Sequence, residues 1–158
     1  MTDNPLIPIT SQNALEDFCS KLAESDFICV DTEFHRESTY WPQLCLVQAS
    51  APGCEALIDP MNDDLDIGPF LQLIAQESRI KVFHAARQDM EIFNRLIGHP
   101  PGPIFDTQIA AMALGLGDSI SYDNLIRRLL KREIDKSSQF TDLDPPPAQR
   151  KAKKICAG

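Results

Sequence analysis

A chain of 158 residues with 43% hydrophobic and 24% charged residues has the make-up of one folded domain able to bury its own core, which excludes a disordered polyelectrolyte. No apolar run approaches the roughly 20 residues of a membrane span, so a helical membrane protein is excluded too. The net charge of −8 argues against a uniformly basic nucleic-acid binder, yet the charge is uneven: residues 1–122 carry 6 Lys and Arg against 18 Asp and Glu, and residues 123–158 carry 9 against 5.

The opening residues show neither the basic cluster nor the apolar core of a signal peptide, so a cytoplasmic protein is expected. The five cysteines form no C-x-x-C pair and are expected to be reduced thiols.

In chain order, Ala14, Leu15, Phe18, Leu22 and Ala23 recur at helical spacing, with Thr10 or Ser11 placed as the cap. The run 27–30 reads as a strand that leads through Asp31-Thr32-Glu33-Phe34 into a polar and aromatic loop ending at Trp41-Pro42. Two more strands follow at 44–49 and 55–58 around a Pro52-Gly53 turn, which makes an antiparallel meander. Ile67, Phe70, Leu71 and Ile74 mark a helix, 80–83 a fourth strand, and Met90, Phe93, Leu96 and Ile97 another helix, an α/β alternation. Beyond the stiff Pro100–Pro103 connection, 106–114 and 122–130 read as helices, the latter with Ile126, Leu129 and Leu130 on one side. Residues 143–158, opening with Pro145-Pro146-Pro147, lack apolar periodicity and are expected to be an irregular tail.

Asp31 and Glu33 are the first chemically pointed pair. Side chains at i and i+2 of a strand share a face, so two carboxylates converge, and a hard divalent cation such as Mg²⁺ or Mn²⁺ is the usual way to neutralise them. Asp89 lies in the segment 84–89, where the fourth strand hands over to a helix, and strand ends are where α/β folds gather ligand groups. Without a partner, Asp89 would be a surface helical residue and His84 a semi-buried, hydrogen-bonded one.

Taken in order, Asp31-Thr32-Glu33-Phe34, the stretch from Thr39-Tyr40-Trp41-Pro42 through Gln48, His84 to Asp89, and Phe105-Asp106-Thr107-Gln108 resemble the ribonuclease D family, DEDDy subclass of the DEDD 3'-5' exonucleases. The likeness spans about residues 25–142. It implies a ribonuclease H-like mixed sheet, a meander plus a parallel strand flanked by helices, incomplete at its C-terminus. It also implies metal-dependent removal of terminal nucleotides from the 3' ends of single-stranded RNA, with tRNA precursors as one substrate. Asp31, Glu33 and Asp89 would be the catalytic and metal-binding acids, holding two Mg²⁺ or Mn²⁺ ions in the complete family site. Phe34, Tyr40, Trp41 and His84 would meet substrate; for the aromatic residues, core packing is the competing role. The Asp106-Thr107 pair would position a helix and bind no metal.

The family's third motif, Y-x-x-x-D, does not occur in this sequence; Tyr122 has Ile126 four residues on. A permitted back-translation from Asp142 onward, shortened by a single nucleotide, opens a frame that resembles the family segment leading into that motif. A frameshifted or truncated gene product is therefore expected, with an exonuclease domain over 1–142 and a foreign tail over 143–158. The competing expectation is an inactive remnant that binds nucleic acid or metal weakly.

Overall fold

The meander anticipated between Phe27 and Ile58 forms the centre of the computed structural model, which describes residues 8–35 and 41–134. In chain order the elements are β1 (Pro8–Ile9), α1 (Gln12–Leu22), β2 (Phe27–His35), β3 (Gln43–Ala51), β4 (Cys54–Ile58), α2 (Gly68–Ala75), β5 (Ile80–Phe83), α3 (Arg87–Ile97), β6 (Ile104–Asp106), α4 (Thr107–Ala113) and α5 (Tyr122–Leu130). They build one six-stranded sheet in the order β1-β4-β3-β2-β5-β6. The pairs β2–β3 and β3–β4 are antiparallel, whereas β1–β4, β2–β5 and β5–β6 are parallel. The mixed α/β sheet expected from the sequence is present, with the two- and three-residue strands β1 and β6 added at its edges. Elements that short leave no readable periodicity.

Strand β2 does not stop at Val30. Its ladder with β3 runs from Cys29 opposite Ser50 to His35 opposite Gln43, with an irregularity between Glu33 and Phe34. The backbone partners offered by β3 outweigh the weak strand preference of Asp and Glu, so the acidic pair lies inside a strand and not in a loop.

Alternation then divides the sheet into two unlike faces. Ile28, Val30, Val47, Ala49, Ile58 and Phe83 point to one side, where Leu15, Phe18 and Leu22 of α1, Phe70, Leu73 and Ile74 of α2, and Ile92 and Phe93 of α3 pack on them as a single core. Each such side chain contributes about 1.5–3 kcal/mol. Ser11 caps α1 by accepting from the Ala14 backbone N–H, and left-handed Gly98 ends α3. The buried Lys81 belongs to this face, its Nζ donating to the carbonyls of Gln76, Arg79 and Gly102, so that one side chain ties the α2–β5 connection to the α3–β6 connection.

On the far side of β5, Ala111, Ile120 and Leu125 form a second, smaller cluster with Leu116. It takes only Leu125 from α5, while Leu129 and Leu130, read with Ile126 on one side of the helix, are 57% and 59% exposed. Cys19, Cys29 and Cys54 are free thiols as expected, but Cys45 is disulfide-bonded. Among the described residues no helix is long and apolar enough to cross a membrane. The expected boundary at 142 and 143 lies outside the described residues.

Candidate functional site

Asp31 and Glu33 project from β2 on the side opposite Val30 and Thr32, and both are exposed there. Asp89, in the first turn of α3, comes from the helix-covered side and is 8% exposed. Its Oδ1 accepts a hydrogen bond from the hydroxyl of Thr32 at 2.5 Å. Thr32 thus ties Asp89 to the stretch of β2 that carries Asp31 and Glu33.

They feel one another. Desolvation, then the charges of Asp31 and Asp89, raise the Glu33 carboxyl above its ordinary range. Asp89 is raised by desolvation against the lowering effect of the Thr32 hydroxyl, with Asp31 pushing it further up. Asp31 is raised by desolvation and drawn partly back by the Thr32 backbone N–H and the charge of His84.

His84 closes the arrangement on the β5 side. The Thr107 hydroxyl donates to the Phe83 carbonyl at 3.0 Å and so accepts from His84 Nδ1 at 2.8 Å. Nε2 faces the Ile120 carbonyl at 3.1 Å, which only accepts. The imidazole is thereby held at both of its ring nitrogens. The ring of Tyr122 meets the imidazole edge-on with centroids 5.5 Å apart.

Asp106 is built differently. Its carboxylate accepts from the backbone N–H groups of Ala85 (3.1 Å), Ala86 (2.9 Å), Gln108 (2.8 Å) and Ile109 (3.4 Å). It caps α4 and clamps the turn before α3, where Ala85 has a left-handed φ of 61°. Desolvation would raise this carboxyl, but the four N–H groups outweigh it and hold it below its ordinary range. This geometry suits the helix-positioning role expected of Asp106-Thr107.

The remaining sequence-predicted residues are spread more widely. Phe34 is half-buried against the main core. Trp41 is 48% exposed, with the Arg95 guanidinium 5.2 Å from its ring centroid, in a groove of about 500 Å³ that also includes Gln43 and Ile92. Tyr40 lies outside the described residues. Sequence reasoning missed Thr32 and Arg95. For Thr32 the signal was available, because strand alternation obliges the middle residue of D-x-E to face the opposite side.

The donor set fits a hard divalent cation in its chemistry: all oxygen, partly desolvated and mutually repelling. The geometry goes less far. Among the described residues, no group of three or more His, Cys, Asp and Glu side chains converges as a ligand set, and Asp89 already gives one oxygen to Thr32.

A family model described as 3'-5' exonuclease matches residues 6–157, and the chain belongs to this 3'-5' exonuclease family. Ribonuclease D of Bartonella henselae is 49% identical over 143 residues, covering 90% of this chain and 35% of that protein. Ribonuclease D of Sphingobium indicum is 48% identical over 152 residues, covering 96% and 39%. The crystal structure of Escherichia coli RNase D, an exoribonuclease involved in structured RNA processing, superposes with a TM-score of 0.79 at 33% identity, covering 98% of this chain and 41% of that one. The fold is thus the RNase D, ribonuclease H-like one, and the chain spans 35–41% of the length of these relatives.

Proposed function

We propose that this chain is a divalent-metal-dependent 3'-5' exonuclease module that hydrolyses terminal nucleotides of single-stranded RNA in the cytoplasm, tRNA precursors among its substrates. The observation that carries this reading is the placement of Asp31 and Glu33 on one face of β2, with Asp89 tied to the same strand through Thr32, in a chain of the 3'-5' exonuclease family. Asp31, Glu33 and Asp89 are the residues that would hold Mg²⁺ or Mn²⁺. When bound, such ions activate water and stabilise the charge that develops on the leaving oxygen. Asp31 and Glu33 present their oxygens on the exposed face, where a terminal phosphate has access. His84, its ring fixed at both nitrogens, would meet the substrate from the β5 side. The Trp41 ring offers a stacking surface for a base, backed by Arg95.

The missing Y-x-x-x-D motif favours a slow enzyme, and at the limit a remnant that binds metal or nucleic acid weakly. Removal of one acid and one water-positioning group should cost at least about 10–100-fold in rate. The test is Mn²⁺-dependent release of 3'-terminal nucleotides from single-stranded RNA. This chain, its Asp31→Asn variant, and the product of the same gene read in the shifted frame from Asp142 onward would be compared. The reading expects slow metal-dependent release that Asp31→Asn abolishes, and faster release by the shifted-frame product. Release indifferent to both metal and Asp31→Asn would refute it.

A further inference from the structure

Between the two exposed acids of β2 stands a residue that faces the other way. Thr32 is 7% exposed, and its hydroxyl reaches Asp89 across a separation of 57 residues. A hydroxyl donating to a carboxylate at 2.5 Å is a charge-assisted bond at the short end of its range. Asp89 needs such a fixture. It occupies the first turn of a helix whose N-cap, Ala86, makes no side-chain capping bond, and its carboxylate is pressed by the charges of Asp31 and Asp106. The alternation of β2 makes the link possible: side chains at 31 and 33 leave one face of the strand, and the one at 32 must leave the other, toward α3.

We propose that Thr32 is a positioning residue, whose hydroxyl fixes Oδ1 of Asp89 and thereby sets how Asp89 joins Asp31 and Glu33 around a divalent cation. This rests on the functional reading above. Thr32→Val keeps the β-branched shape and the packing but removes the hydroxyl donor from the buried carboxylate, whereas Thr32→Ser keeps it.

The experiment measures Mn²⁺ binding to the full chain by calorimetry, with circular dichroism to confirm folding, and needs no turnover. Thr32→Val should weaken binding about 10-fold, as loss of a group that orients a ligand does, and Thr32→Ser should restore most of it. In an Asp89→Asn background, Thr32→Val should add nothing, because its effect runs through that carboxylate. Should Thr32→Val not fold, Thr32→Cys, with its weak S–H donor, supplies the same comparison and should bind less tightly than Thr32→Ser. Parental binding by Thr32→Val while Asp89→Asn loses affinity, or losses that multiply in the double variant, would overturn the proposal alone. Parental binding by both Asp31→Asn and Asp89→Asn would overturn the functional reading beneath it.

Discussion

Two acidic regions lie within reach of each other in this molecule and are handled in opposite ways. Asp106 is surrounded by four backbone N–H groups, and the protein supplies all the positive potential its carboxylate needs. Asp31, Glu33 and Asp89 share the Thr32 hydroxyl, the backbone N–H groups of Thr32 and Asp89 and the charge of His84, and desolvation with carboxylate charge pushes Glu33 and Asp89 toward the neutral form. The difference separates an acid that builds structure from acids proposed to hold a cation. A carboxylate fully served by backbone dipoles has nothing left to offer a ligand, and one that the fold leaves underserved is a candidate for chemistry.

The largest effect is expected at Asp106. Asp106→Ala removes the cap of α4 and frees the N–H groups of Ala85 and Ala86, so a loss of about 2–4 kcal/mol is expected in urea unfolding. A loss below about 0.5 kcal/mol would show that the clamp is ornamental. Asp31→Asn should do the reverse: unfolding stability near neutral pH stays level or rises, because a repelling charge is gone, while Mn²⁺ affinity falls about 10–100-fold. Parallel losses of stability and affinity in that variant would place Asp31 in the structural class.

Proton linkage sharpens the contrast. Asp31, Glu33 and Asp89 are raised in the folded state, so between their ordinary and raised values the native chain binds more protons than the unfolded one, and stability falls as pH rises through that window. Asp106 is lowered, so its contribution is present above its unfolded value and is lost as pH falls through the folded one. Melting curves taken across the acid range should therefore show a smaller destabilising limb in a Glu33→Gln variant and a smaller stabilising limb in Asp106→Asn. Identical profiles would dissolve the distinction. Saturating Mn²⁺ should offset the destabilising limb, since the cation binds the ionised forms.

The smallest expected effect lies in the strained turn. Ala85 has a φ of 61°, costly for a residue with a Cβ, and Asp106 holds its N–H there. Ala85→Gly should change stability by about 1 kcal/mol or less, as relief of strain and greater unfolded-state entropy oppose each other. The same substitution should partly rescue Asp106→Ala, a double-variant measurement that reads the clamp directly.

Much of this was legible in one dimension. Helical spacing located α1 and α5 to within a residue or two, and β5 ran over 80–83 as read. Period-two alternation placed Asp31 and Glu33 on one face without any knowledge of what that face meets. The motif order pointed to the family that the comparisons show. These features are local or compositional, and they survive whatever the rest of the chain does.

What needed the tertiary structure depends on partners distant in sequence. Only the ladder with β3 extends β2 through the acidic pair, and only the docking of α3 brings Asp89 to Thr32 across 57 residues of sequence. The double anchoring of His84 joins β5 to Thr107 and Ile120, and the cradle of Asp106 spans the ends of two helices. Hydrogen bonds have no periodicity to read: their partners are chosen by the packing of strands and helices, which the hydrophobic pattern favours in outline and only the assembled core positions to the tenths of an ångström that a hydroxyl and a carboxylate require.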